Sequence, residues 1–227
     1  MRTLAALLLF GLVAPITALS AVAFDASSIT TSHTSTGSDR VIYTTFFSTG
    51  GDTVTAVSIG GVGYTKICSI QRPGSPTGRY QALWRAIAPP TGAQTITVTG
   101  AYALIASASY TGANQTTQPD NGGTTGTAAA QSTLAIANTA VTDTSLLVGG
   151  FGNHNFIISA GADTQNRADA ASGVGMYDAT AATSPAGSKT LTVTPTSADN
   201  MMGCVAHVRA IVAAGAPVTS EDVIIFE

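Results

Sequence analysis

The three histidines are the side chains of this sequence best suited to acid–base chemistry or metal binding. His33, His154 and His207 lie far apart, and no two of them have the close spacing of a zinc-binding pair. His154 lies in a polar turn, where a structural role is the simpler interpretation. A Gly-x-Ser-x-Gly nucleophile elbow is missing as well. We therefore expect no catalytic residue, no cofactor and no enzyme.

Acidic and amide side chains offer oxygen ligands that calcium would accept. The candidates are Asp163, Asp169 and Asp178, or alternatively Asp120 with Asn121. Neither set has the Asp-x-Asp/Asn-x-Asp/Asn-Gly spacing of a calcium loop. The sequence therefore predicts no metal site, with bound calcium as the weaker alternative.

Cys68 and Cys204 are the only two cysteines. In an exported protein they could form one disulfide. The alternative is two buried thiols, which behave as small apolar side chains. Both cysteines lie within predicted strands, which favours free thiols.

The composition limits the classes of partner. Charged residues make up 9% of the 227 residues, hydrophobic residues make up 44%, and the net charge is −3. Nucleic-acid binding requires clustered Lys and Arg, whereas the nine basic residues here are scattered. A neutral, hydroxyl-rich surface instead suits a protein that acts outside the cytoplasm or packs into an assembly.

Alternation of hydroxyl and aliphatic residues is the main structural signal, as in the segments 95–99 and 190–194. A period of two is typical of strands with one buried face, and Gly- and Pro-rich turns separate the segments. Further strands are predicted at 28–34, 40–47, 53–59, 64–70, 80–88, 104–110, 133–137, 145–150, 155–159, 174–177 and 203–211.

About a dozen short strands without an amphipathic helix predict an all-β fold, an antiparallel β-sandwich of jelly-roll type spanning residues 24–213. Two polar segments, 111–131 and 161–172, are expected to be long loops. No fixed-period repeat is apparent in the sequence.

The first 23 residues form a separate hydrophobic segment. A basic start, an apolar centre and the ending Ala21-Val22-Ala23 match a secretory signal peptide. The alternative is a retained membrane anchor or an apolar arm that packs into an assembly, because the apolar stretch is roughly long enough to span a bilayer.

The last residues, 214–227, form a tail with an apolar patch after an acidic pair. The patch consists of Val223, Ile224, Ile225 and Phe226. It is either a final edge strand of the domain or an inter-subunit strand that adds to the sheet edge of a neighbour.

A Gly60-Gly61 turn, the single tryptophan Trp84 and a Pro-rich corner at 89–92 precede the strand at 95–99. This pattern resembles a group of β-sandwich domains found in bacteriophage virion proteins and exported bacterial surface proteins. Trp84, beside Leu83 and Ile87, is expected to anchor the core.

The resemblance and the composition together predict a non-enzymatic structural protein of a phage virion, a capsid decoration or fibre-like component that forms an oligomer or lattice. The alternative is an exported cell-surface protein: an adhesin, a carbohydrate-binding module or a filament subunit. Glycan binding would use exposed aromatics, for which Tyr102, Tyr110 and Tyr177 are candidates.

Overall fold

The computed structural model describes residues 21–72, 78–128, 132–153, 158–170, 173–196 and 200–211. These residues form 17 β-strands and no helix. The strands are β1 (Ala23–Ser28), β2 (Ser32–Ser35), β3 (Val41–Ser48), β4 (Ala56–Ile59), β5 (Val62–Gly63), β6 (Thr65–Gln71), β7 (Tyr80–Ile87), β8 (Gly92–Thr99), β9 (Leu104–Thr111), β10 (Thr124–Ala128), β11 (Leu134–Thr139), β12 (Leu146–Gly152), β13 (Ile158–Ala160), β14 (Thr164–Ala170), β15 (Val174–Ala179), β16 (Ser188–Pro195) and β17 (Met201–Val208).

The described strands form four sheets, and every strand pairing in them is antiparallel. Two five-stranded sheets have the orders β1-β9-β3-β7-β6 and β10-β17-β12-β15-β14. A four-stranded sheet has the order β2-β8-β4-β5, and a three-stranded sheet has the order β11-β16-β13. The predicted all-β, antiparallel sandwich class is confirmed, although these orders do not establish a jelly roll.

Strands β1–β9 and β10–β17 form two halves with the same topology. The two five-stranded sheets correspond strand by strand. The order β1-β9-β3-β7-β6 in the first matches the order β10-β17-β12-β15-β14 in the second. The two smaller sheets correspond in the same way: β2-β8-β4 matches β11-β16-β13, and among the described strands only the short β5 has no counterpart. Residues 24–213, predicted as one sandwich, therefore contain the same strand arrangement twice.

The strand registers show the same equivalence. Tyr43 pairs with Arg85 and with Ala108. In the second half, Val148 pairs with Asp178 and with Ala206. A register shift interrupts β6–β7 and also β14–β15. In both bulges the shift directly follows the residue paired with the large aromatic of the neighbouring strand, Trp84 or Tyr177.

The sequence shows the same repetition in one segment of each half. The pattern Pro-x-Gly-x-x-Thr-x-Thr-Val-Thr occurs at 90–99 and again at 185–194, and it encodes the equivalent strands β8 and β16. The prediction that the sequence has no fixed-period repeat of the solenoid or propeller kind does not cover this twofold arrangement, and the alternation at the two segments indicates only two strands.

The four sheets stack as layers, with the two five-stranded sheets inside. The central strands β3, β7, β12, β15 and β17 are buried almost throughout, because each of them has one face toward its own half and one toward the other half. The outer strand β11 alternates buried and exposed residues instead, which is the pattern of a sheet with one solvated face.

Equivalent aromatic residues anchor the core of each half. Trp84 is 4% exposed and packs with Ile42, Phe46 and Ile96, as predicted for a core residue. At the equivalent position, the Tyr177 ring contacts Phe151 edge-on at 5.6 Å, and its hydroxyl donates to the carbonyl of Ile158.

The inner sheets approach closely at β12, which supplies glycines. A Cβ at Gly150 would collide with the side chain of Thr45, and one at Gly152 would collide with Gln81. Thr45 is equivalent to Gly150 by register. Equivalent positions thus meet face to face, as expected for two halves related by an approximate twofold axis.

A disulfide joins the two halves across this interface. Cys68 on β6 bonds to Cys204 on β17, with the Cα atoms 6.1 Å apart. Free thiols, which the strand positions had favoured, are therefore not what the structure contains. The bond closes a loop with a sequence separation of 136, and long loops gain the most from closure in the chain-entropy account.

Two of the predicted loops contain strands. Residues 111–131 include β10, and residues 161–172 include β14. The predicted strand at 28–34 is interrupted between β1 and β2. Both missed strands lie at edges of the inner sheets, and their polar residues had suggested loops.

We expect Gly150→Ala to lower the free energy of unfolding by about 1–3 kcal/mol, because the added methyl overpacks the contact with Thr45. Gly63→Ala is the matched control, since a Cβ there meets nothing within 4 Å. Urea unfolding of both variants and the parent measures the difference. Equal midpoints for the two variants would contradict the close approach of the inner sheets.

Candidate functional site

The two ends of the molecule differ in what they carry. The connections β3–β4 and β8–β9 lie together at one end, because Phe47 pairs with Leu104; we call this the loop end. The opposite end carries both ends of the described chain. Ala23 pairs there with Thr111, and the Ile211 amide donates to the carbonyl of Gly112; we call this the terminal end.

A cleft of about 360 Å³ opens at the loop end of the first half. Such a volume lies at the small end of the range for ligand pockets. The connection β3–β4 and the connection β8–β9 supply its walls. The lining residues are Ser48, Thr49, Gly50 and Thr53, together with residues 101–103.

Hydrogen bonds fix the walls of this cleft. Ser48 Oγ donates to the carbonyl of Gly51, and Thr53 Oγ1 donates to the carbonyl of Ala101. Gly100 permits the approach of the two connections, since it has a φ of 113° and a Cβ there would collide with the carbonyl of Thr53. These contacts give the cleft a fixed shape in the folded protein.

One aromatic ring forms part of the cleft wall. Tyr102 is half-buried, and its ring contacts Phe46 edge-on with centroids 5.3 Å apart. The nearby charge of Asp52 is not among the lining groups; this carboxylate pairs with Lys66 Nζ at 2.9 Å. The cleft therefore presents an oriented aromatic ring, hydroxyls and backbone, without a formal charge.

A second arrangement combines the residue types of acid–base catalysis. His33 Nε2 and Nδ1 lie 3.0 Å and 2.8 Å from the hydroxyls of Ser109 and Ser107. Ser109 donates to Asp25 at 2.9 Å, so Ser109 accepts from His33 Nε2–H. Nδ1 is then the acceptor for Ser107. This order places a serine between the histidine and the carboxylate, so Asp25 does not orient the imidazole as in a catalytic triad.

Burial also keeps these three side chains out of contact with solvent and with any dissolved ligand. His33 is 1% exposed, and Ser107 and Ser109 are fully buried. Burial lowers the pKa of His33 to about 4, and the nearby Asp25 opposes this shift. The imidazole is thus neutral at physiological pH and sealed between sheets.

The second half has an equivalent polar contact. By register, Asn138 corresponds to His33 and His207 corresponds to Ser109. His207 Nε2 donates to the carbonyl of Asn138 at 3.2 Å. The histidine of this contact lies on the outer sheet in the first half and on the inner sheet in the second, which indicates a structural role for both contacts.

A charged pair lies in the interface between the halves. Arg167 Nε donates to the buried carboxylate of Asp178 at 2.8 Å, and its guanidinium lies 4.2 Å from the ring centre of Phe24 in the other half. Burial raises the pKa of Asp178, whereas Arg167 opposes the rise. This cluster helps to orient the halves.

The acidic candidates for calcium do not converge. Burial alone would raise the pKa of Asp120, but hydrogen bonds from Thr142 and from the Val141 amide outweigh it and lower this pKa. Asp178 is committed to Arg167. Within the described ranges, no group of three or more His, Cys, Asp or Glu could hold a metal ion.

The structure separates the three tyrosine candidates. Tyr110 and Tyr177 are fully buried, so neither can stack on a glycan, whereas Tyr102 lines the cleft. His154 and the apolar patch Val223, Ile224, Ile225 and Phe226 lie outside the described residues. The cleft escaped sequence reasoning because its two connections are about 50 residues apart in the chain and only the sheet register joins them.

Comparisons of the chain with family models, with curated proteins and with solved structures found no match. In the part of the chain that the structure describes, no helix is long and apolar enough to cross a membrane.

We expect the stability of the protein to fall between pH 7 and pH 4 because of His33. An unfolded histidine binds a proton near pH 6.5, whereas His33 in the folded protein does so near pH 4. Protonation therefore favours the unfolded state as the pH falls. The contribution of neutral His33 to the free energy of unfolding is fully present above pH 6.5 and is lost as the pH falls toward 4. This contribution to the free energy of unfolding amounts to roughly 3 kcal/mol.

His33→Asn tests this expectation, because it introduces the residue that the second half carries at the equivalent position. Urea unfolding at pH 7, 5.5 and 4.5 should show a shallower loss of stability in the variant than in the parent. His207, which burial also shifts to a lower pKa, remains in both proteins. Identical pH dependence would show that His33 does not contribute.

Proposed function

We propose that this chain is a non-enzymatic binding or structural protein that acts outside the reducing cytoplasm, as an exported surface protein. The disulfide between the two halves carries this proposal. Structural disulfides form and persist in oxidising compartments and are rare in the cytosol. Export thus takes precedence over the virion assignment that the sequence had favoured.

The N-terminal segment supports the same compartment. Its basic start, apolar centre and Ala21-Val22-Ala23 ending follow the pattern of a signal peptide. Because β1 begins at Ala23, cleavage beside this residue would leave the strand nearly complete. The predicted cleavage site and the first strand are therefore compatible.

The arrangement of the two ends supports a role in binding. Both ends of the described chain lie at the terminal end, whereas the cleft lies at the loop end. Attachment through a terminal segment would leave the loop end free to contact a partner. Loops at one end of a sandwich commonly carry binding function.

The sealed polar contacts support a role without catalysis. Both His33 and His207 are buried and bonded to groups of the protein itself. The cleft holds hydroxyls and one tyrosine but no paired acid and base, which general acid–base catalysis requires.

The outer faces favour a second candidate, a structural subunit of a phage virion. The exposed positions of β8 alternate with its aliphatic ones and carry only small neutral side chains, and β16 and β11 show the same composition. Charged residues normally discourage contacts between sheets, and the half-buried Lys189 is the one charged residue on these three strands, which suits packing into a lattice. These exposed residues are Ala93, Thr95, Thr97, Thr99, Ala135, Ala137, Thr139, Ser188 and Thr190.

Fractionation of the natural source, followed by alkylation and intact mass measurement, tests export. We expect the chain in the surface or extracellular fraction, starting near Phe24, with no alkyl group added unless reductant is present. A cytoplasmic chain with two alkylated cysteines would overturn the proposal. Co-sedimentation with phage particles would support the second candidate instead. The reduced sample, which should gain two alkyl groups, is the control.

A further inference from the structure

We propose that the cleft at the loop end binds a single unit of a neutral carbohydrate. The inference rests on the proposed role as an extracellular binding protein and assigns that role to a site. It requires that the cleft complement both the hydroxyls and the apolar face of a sugar ring. The lining residues and their fixed geometry meet these requirements.

The aromatic ring of Tyr102 supplies the apolar surface. Phe46, which is 2% exposed, holds this ring edge-on at 5.3 Å. A ring already fixed by the core loses little conformational freedom when a ligand stacks on it. Tyr102 is the one aromatic residue among those that line the cleft.

The surrounding groups supply hydrogen bonds without charge. The hydroxyls of Ser48 and Thr53 donate their protons to backbone carbonyls of the connections, so their oxygens remain acceptors for ligand hydroxyls. Thr49 is exposed at the rim and adds a hydroxyl that can donate or accept.

The neutral lining distinguishes sugars from ionic ligands. Asp52, the charged residue of the connection β3–β4, is paired with Lys66, and Lys66 also lies 4.9 Å from the ring centre of Trp84. An anionic ligand would therefore meet no cation among the lining residues, and a cationic ligand would meet no carboxylate. A polyhydroxylated neutral ring is the class that this set of groups fits.

Saturation-transfer NMR on the full-length chain tests the proposal. The probes are the methyl glycosides of glucose, galactose, mannose and N-acetylglucosamine, with glucuronate as the charged comparison. We expect transfer to at least one neutral glycoside, with a dissociation constant on the order of 1 mM for one sugar on one aromatic ring.

Three variants locate the binding. Tyr102→Ala removes the stacking ring, and Thr49→Trp fills the cleft from an exposed position without removing a core contact. Both should weaken binding at least tenfold, as expected for the loss of one well-formed contact. Thr97→Trp, the same substitution on the exposed face of β8, should bind like the parent.

The proposal is overturned if no neutral glycoside shows transfer, if only glucuronate does, or if Thr49→Trp binds as tightly as the parent. Should Tyr102→Ala fail to fold, the binding of Thr49→Trp still shows whether the sugar occupies the cleft. Failure here would leave the alkylation and fractionation result unaffected, so the proposed export and the proposed ligand can fail separately.

Discussion

The close face-to-face packing of the two inner sheets is the constraint on which the rest of the structure depends. Gly150 and Gly152 leave room for Thr45 and Gln81, and the sheets can approach because no side chain on β12 intervenes at these points. The burial of the central strands on both faces follows from this approach, as does the reach of the disulfide from β6 to β17. The largest core cluster contains residues of both halves, and a second cluster lies between the first inner sheet and the four-stranded sheet.

The same strand arrangement occurs twice, and the two copies share one core cluster between their inner sheets. A half that exposed its inner sheet would leave a broad apolar face, and the second copy covers that face with its own. The halves differ at equivalent positions: Trp84 corresponds to Tyr177, and the histidine of the buried polar contact lies on β2 in the first half and on β17 in the second. Such exchanges preserve packing and hydrogen bonding while they remove similarity from the sequence.

Sequence reasoning succeeded where one face of a strand is solvated. The alternation at 95–99 and 190–194 identified β8 and β16, and Trp84 was placed correctly in the core. It failed at β14, because Arg167 and Asp169 look like loop residues although Arg167 pairs with the buried Asp178 of its own half and lies against the Phe24 ring of the other half. The cleft could not be predicted either, because it depends on which strand ends the register brings together. The cysteine pairing likewise depended on how the halves stack.

The two halves pack through equivalent positions of their inner sheets, Thr45 and Gly150. The most direct measurement is a nuclear Overhauser contact between the side chain of Thr45 and the α-protons of Gly150, in a protein labelled for methyl and backbone detection. We expect a strong contact, since a Cβ on Gly150 would collide with Thr45. Absence of this contact, with both residues assigned and each sheet intact, would show that the inner sheets do not pack through these positions.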